Sequence, residues 1–180
     1  MSKTTSKVAF CGVMADLSVV IMFLSGVVPV ATIAIPAIAG CLLIPVVAEC
    51  GVKSGWAVFA AVGVLSFFLA TDREAFLVYV LFFGYYPVLF ANLDRIRNKA
   101  LKITLKYIIF NFACVAEVML AAWLFGIPFE FVEGLGVFTP VALLAVANVV
   151  FFLYDRALPG LIVMYFHKFH KLVEKTFRTM

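Results

Sequence analysis

The chain is a series of apolar stretches, each about as long as a bilayer is thick, separated by short charged punctuation. A helix that crosses the hydrocarbon layer needs about 20 mostly apolar residues. Six stretches approach that length, at 8–28, 30–50, 55–70, 75–91, 103–125 and 137–158, the last extending as far as 166. The third is short for a span and fits by tilting or by extending through Thr71. Apolar residues make up 66% of the chain and charged residues 13%, against roughly 45–50% and 25% in soluble domains. A soluble globule of 180 residues has too little interior to hide that surface. The same hydrophobicity excludes disorder. A net charge of +4, with its cations scattered between apolar runs, excludes nucleic-acid binding through a broad basic face. The pattern predicts an all-α, six-helix transmembrane bundle forming one integral membrane domain over 1–180.

Charge placement orients that bundle. With the N-terminus inside, the inner segments hold Lys3, Lys7, Lys53, Arg95, Arg97, Lys99, Lys102, Lys106, Arg156, Lys168, Lys171, Lys175 and Arg178, leaving only Arg73 outside. The outer loops hold Asp72, Glu74, Glu130 and Glu133. The positive-inside rule then places both termini in the cytoplasm, and an odd number of spans would break the partition. The first apolar run is too long for a signal-peptide core and lacks a cleavage site, so it is read as a retained span. The basic stretch from Asn92 to Lys102 is expected to lie on anionic lipid headgroups.

Prolines interrupt two spans. Pro36 and Pro45 each remove a backbone donor from the second, which predicts two short helices or one kinked helix. Pro87 disturbs the last turn of the fourth, within Phe83-Gly84-Tyr85-Tyr86-Pro87. Cys11, Cys41, Cys50 and Cys114 lie in or at the ends of spans, with no zinc or disulfide spacing, and read as small packing residues.

Charged groups inside a bilayer are costly and mark sites or helix contacts. Asp16 lies about 12 Å beyond Val8 along the first helix, with Ala9 and Gly12 near its face. Glu117 lies about 16 Å in from Lys106, among Ala113, Cys114 and Ala121. Asn148 and Asp155 share a stripe of the sixth span, with Arg156 beside them. One reading makes these groups interhelical ties, with Asp16 or Asp155 pairing to Arg156. The other makes Glu117 the wall of a substrate or proton cavity, since only Arg73 is placed to pair with it. At the outer rim, Thr71-Asp72-Arg73-Glu74 is either a helix-capping turn or a lid over an outward pocket. Trp56, Tyr79 and Trp123 read as interfacial anchors, and the loop from Gly126 to Gly136 as a segment able to dip into the membrane surface.

No catalytic set is visible. There is no phosphate-binding loop, no G-x-S-x-G elbow and no H-E-x-x-H pair. His167 and His170 are too few for a metal site and read, with Phe166, Phe169, Val173 and Phe177, as a cationic interfacial helix. An enzyme, a metal centre and a bound cofactor are not expected.

Small residues cluster on the first helix at Cys11, Ala15 and Ser18, beside Ala9 and Gly12. Pro36-Ala37-Ile38-Ala39-Gly40 and Gly51-x-x-x-Gly55 follow in the second and third. Together with six short spans, inner termini and no ATPase motif, this layout resembles the substrate-capture S component of energy-coupling factor vitamin transporters. In that family an alanine-x-x-x-alanine pattern on the first helix docks against the transmembrane coupling subunit. The matching spacing here is Cys11-x-x-x-Ala15, a departure at its first position. The resemblance implies a prokaryotic plasma-membrane subunit that binds a vitamin-like small molecule near the outer face and topples beside a coupling subunit driven by two cytosolic ATPases. It also implies docking through Cys11, Ala15 and Ser18. The outer placement of polar groups makes Glu117, Asp72, Arg73 and Tyr79 the expected pocket lining, with Asn148 as its floor. A proton- or cation-coupled permease using Asp16 and Glu117, and an accessory subunit without a ligand, are the alternatives.

Overall fold

The computed structural model describes residues 3–26, 32–126, 138–170 and 173. The loop residues Pro128, Phe129, Glu130, Phe131, Val132 and Glu133, and the tail residues Lys171, Lys175, Phe177 and Arg178, lie outside the described residues. The described chain is all α: α1 (Lys3–Phe23), α2 (Ala34–Cys41), α3 (Leu43–Cys50), α4 (Val52–Leu69), α5 (Arg73–Val78), α6 (Tyr86–Leu93), α7 (Lys99–Phe125) and α8 (Thr139–Lys168). A 3₁₀ turn at Leu24–Gly26 extends α1, and a π-helical segment at Tyr79–Phe83 joins α5 towards α6. These elements make six rods: α1, α2–α3, α4, α5–π–α6, α7 and α8. Among the described residues five rods are long and apolar enough to cross a membrane, and α2–α3 is a shorter apolar helix. Several long apolar helices of this kind are consistent with a multi-pass membrane protein.

Proline chemistry sets both breaks. Pro45 has no N–H to offer the Cys41 carbonyl, and at the junction Leu42 N–H reaches back to Ala39 O at 3.3 Å, a tighter three-residue bond. Pro36 does not interrupt its rod. It sits in the first turn of α2, where a missing N–H is harmless. In the fourth rod Pro87 likewise has no N–H for the Phe83 carbonyl. The helix widens before it, with Gly84 N–H bonding Tyr79 O at 2.7 Å, and a new helix starts at Tyr86 with Pro87 in its first turn. Pro87 therefore opens α6 and does not close the span, which continues to Leu93.

The two broken rods cross at their breaks. A Cβ added to Gly40 would lie 2.2 Å from the Phe83 carbonyl oxygen, so only glycine lets α2 approach this backbone. On one side of the crossing, Ala15, Val19 and Met22 of α1 pack with Leu43, Val46, Val58, Val62, Tyr79 and Val88. On the other, Phe82, Phe83, Tyr86 and Phe90 pack with Phe110 of α7 and Phe151 of α8. The Phe110 and Phe151 rings stack at 4.4 Å. A third cluster sets Ala70, Phe76 and Leu77 against Leu120, Ala121 and Phe125 of α7.

Both ends of the bundle are identifiable from contacts. The Cys50 thiol donates to the Lys7 carbonyl at 3.7 Å, and His170 Nδ1 lies 2.6 Å from Glu49. The start of α1, the end of α3 and the end of α8 therefore share one end, together with Lys53, Arg95, Arg97 and Lys99. We call it the basic end. At the far end, Gly26 closes on Thr71, and Arg73 lies over the Phe125 ring at 5.6 Å.

Candidate functional site

The far-end corner is built by the turn between α4 and α5. Asp72 Oδ1 accepts from Glu74 N–H at 2.9 Å and Ala75 N–H at 3.2 Å, capping α5 through that one oxygen. Arg73 Nη1 donates to the Phe67 carbonyl at 2.8 Å and spreads over Phe125. Glu117 is half-buried on α7, one turn below Leu120 and Ala121 where these pack on the corner. It has no hydrogen bond or ion pair among the described residues.

The other residues expected to line this pocket are placed elsewhere. Tyr79 is fully buried in the core between α1, α2 and α4, not at an interface, because the π segment turns it inward against Gly84. Its hydroxyl has no hydrogen-bond partner among the described residues. Asn148 is locked to Asn111 of α7 by two reciprocal amide bonds of 3.0 Å, and its Nδ2 also donates to Leu144 O at 2.8 Å. Glu117, Asp72 and Arg73 thus share the corner, whereas Tyr79 and Asn148 serve the packing of the bundle.

Towards the basic end the polar groups form two further ties. Lys106 Nζ lies 2.6 Å from Asp155 Oδ1, Tyr86 OH donates to the same oxygen at 2.6 Å, and the ammonium sits 4.1 Å from the centre of the Phe90 ring. The expected pairing of Asp155 with Arg156 is therefore corrected. Arg156 points out of the bundle, while Lys106 lies on the inward stripe of α7. At the tip of α8, Tyr165 OH donates to Glu49 Oε1 at 2.8 Å, beside His170. His170 is part of this tie and not of a free cationic face. Among the described residues no three His, Cys, Asp or Glu side chains gather into a set able to hold a metal ion.

The small-residue face of α1 divides in two. Ser18 is fully buried, its hydroxyl donating to Met14 O at 2.9 Å and lying 3.3 Å from Ala39 O, so it binds α2. Ala15 is buried and lies at the floor of an open groove between α1 and α4. Cys11, Gly12, Ala57 and Ala61 line this groove, whose volume is about 470 Å³. Asp16 is exposed on α1, with no hydrogen bond or ion pair to any described residue. The expected pairing of Asp16 with Arg156 is not formed among the described residues either, because Ala15 and Ser18 take the inward face of α1. No family model matches the chain, and no curated protein or solved structure matches it either.

Sequence reading missed Lys106, Tyr86, Asn111, Glu49 and Tyr165. A helical stripe signals the first and third: Lys106, Phe110, Ala113 and Glu117 recur at three- and four-residue spacing, and Asn111 adjoins them. On α8 the matching stripe is Asn148, Phe151, Asp155, Leu158 and Tyr165.

Proposed function

We propose that this chain is the membrane-embedded, substrate-binding subunit of an uptake system. It takes up a vitamin-like small molecule at the far end and is powered by separate ATPase subunits through a transmembrane coupling subunit. The observation that carries the reading is Glu117. A half-buried carboxylate without a donor is unfavourable in a low-dielectric setting and is satisfied by a ligand that brings one. Glu74 stands exposed in the first turn of α5 at the same corner, so the corner suits a cationic or hydrogen-bond-donating solute. The resemblance to S components supplies the energy source, and the long apolar exterior fits a subunit that tilts in lipid.

The test is affinity purification of the full chain from native membranes, followed by native mass spectrometry. The expected result is a retained small molecule, with an ATPase pair and a coupling subunit alongside. Glu117→Gln should lower solute affinity about 10- to 100-fold, the range for losing one charge-assisted hydrogen bond. Uptake that collapses with the proton gradient yet survives ATP depletion would replace this reading with a proton-coupled permease. The structure lends that alternative little, since Asp16 faces outward on α1 while Glu117 lies under the α4–α5 corner.

A further inference from the structure

We infer that Cys11 and Cys50 form a redox-responsive dithiol, in which hydrogen peroxide joins the two sulfurs as a disulfide that ties α1 to α3, and cellular thiols reopen it. The inference rests on the position of the two side chains and stands apart from the transport reading. The Cys50 thiol donates to the Lys7 carbonyl at 3.7 Å. In an α-helix that carbonyl belongs to the turn that ends at Cys11, four residues on. A helical side chain leans back over the turn before its own Cα, so the Cys11 sulfur covers the spot where Cys50 arrives. The two thiols are accordingly in hydrogen-bond contact. The other two cysteines sit elsewhere: Cys41 lies 4.0 Å from the Tyr154 hydroxyl, and Cys114 packs against the aromatic cluster between α7 and α8. All four are free thiols.

The surroundings allow the bond to form. Both residues are half-buried, and Cys11 lines the open groove between α1 and α4, which gives a small oxidant access to its sulfur. The sulfurs must close from contact to a bond of about 2.05 Å. Cys50 is the last residue of α3, and Gly51 after it has no described residue within 4 Å of where a Cβ would stand, so the chain can give there without disturbing the core. Cys11 attacks one peroxide oxygen as its thiolate, the O–O bond breaks, and the released hydroxide takes up the thiol proton as water. The Cys50 sulfur then attacks the sulfenic acid at sulfur, the S–O bond breaks, and the second hydroxide leaves with the Cys50 proton as water. Two thiols and one peroxide give one disulfide and two waters, with two electrons passing from sulfur to oxygen. The pair lies at the basic end, which the positive-inside rule predicts to face the reducing cytoplasm. A disulfide there is transient, and exchange with two cellular thiols restores both cysteines as those thiols join in turn.

The experiment exposes the full chain, reduced and held in lipid nanodiscs, to a brief pulse of hydrogen peroxide. The remaining thiols are then alkylated and the product is read by mass spectrometry. The expected product is a monomer with Cys41 and Cys114 alkylated and the Cys11 and Cys50 peptides joined. A reducing thiol should return all four cysteines to alkylation. Cys11→Ser and Cys50→Ser should each abolish the intramolecular disulfide, whereas the double variant Cys41→Ser, Cys114→Ser should form it at the wild-type rate. The bridged chain should melt higher than the reduced chain, because the loop of about 40 residues that it closes is then constrained in the unfolded state. In intact cells the bridge should appear after a peroxide pulse and fade once the peroxide is removed. Oxidation that stops at sulfenic or sulfinic acid, a disulfide between two copies, a bridge involving Cys41 or Cys114 at equal yield, or a bridge that forms only after denaturation would each overturn the inference. So would a lower melting midpoint in the bridged chain, or a bridge already complete in unstressed cells.

Discussion

Lys106 shows how a single residue can mislead a sequence reading. Its neighbours along the chain are Lys99 and Lys102, so it counts among loop cations that meet headgroups. The structure turns its ammonium inward, where Asp155, Tyr86 and the Phe90 face satisfy it at 5% residue exposure. Removing one partner of a buried pair leaves the other charge uncompensated, at a cost of about 3–5 kcal/mol. Lys106→Met should lower stability by that order, read as a large drop in the thermal midpoint in detergent. Adding Asp155→Leu should return most of it, leaving about 1–3 kcal/mol for the Tyr86 hydroxyl that has lost its acceptor. If the double variant melts no higher than Lys106→Met, the pair is not the source of the loss. The Asn111–Asn148 clasp is neutral, and interhelical hydrogen bonds of that kind average about 0.6 kcal/mol. Replacing both with leucine should therefore change the midpoint far less.

The elements were legible where hydrophobic length and proline decide them, and illegible where the third dimension does. The spacing of apolar runs is enough to expect six helices, and Pro45 and Pro87 are enough to expect breaks in two of them. Which face each helix turns inward is another matter. On α1 the candidates Cys11, Ala15 and Ser18 differ from Asp16 by only part of a turn, and with nearly every residue apolar no stripe stands out. The contact of Gly40 with the Phe83 carbonyl was invisible for the same reason, since it depends on two distant rods crossing at their breaks. It carries a sharp prediction. Gly40→Ala places a methyl against backbone that cannot move aside, so the rods must part, at a cost of about 1–3 kcal/mol. Gly12→Ala meets no described residue within 4 Å and should leave stability unchanged or raise it by up to about 1 kcal/mol. Equal melting midpoints for the two variants would mean that the crossing is looser than its geometry implies.

At the scale of the whole molecule, charge, groove and corner depend on which end faces the cytoplasm. Lys7, Lys53, Arg95, Arg97, Lys99, Lys102, Arg156 and Lys168 lie on segments towards the basic end, whereas Arg73 stands at the far end among Asp72 and Glu74. The positive-inside rule therefore predicts that the basic end lies in the cytoplasm, together with the start of α1 and the tip of α8. The check is labelling of single cysteines by an impermeant thiol reagent in intact cells, in a chain whose four native cysteines are replaced by alanine or serine. Glu74→Cys should label from outside, whereas Asn98→Cys and Lys53→Cys should label only after the membrane is opened. The reverse pattern would turn the Glu117 corner to the cytoplasm and remove it as a capture site for uptake. In the expected orientation the groove occupies the cytoplasmic half of α1 and α4, from Lys7 to Ala15 and from Ser54 to Ala61. The crossed, broken rods at Gly40 and Phe83 lie between this groove and the Glu117 corner at the far end.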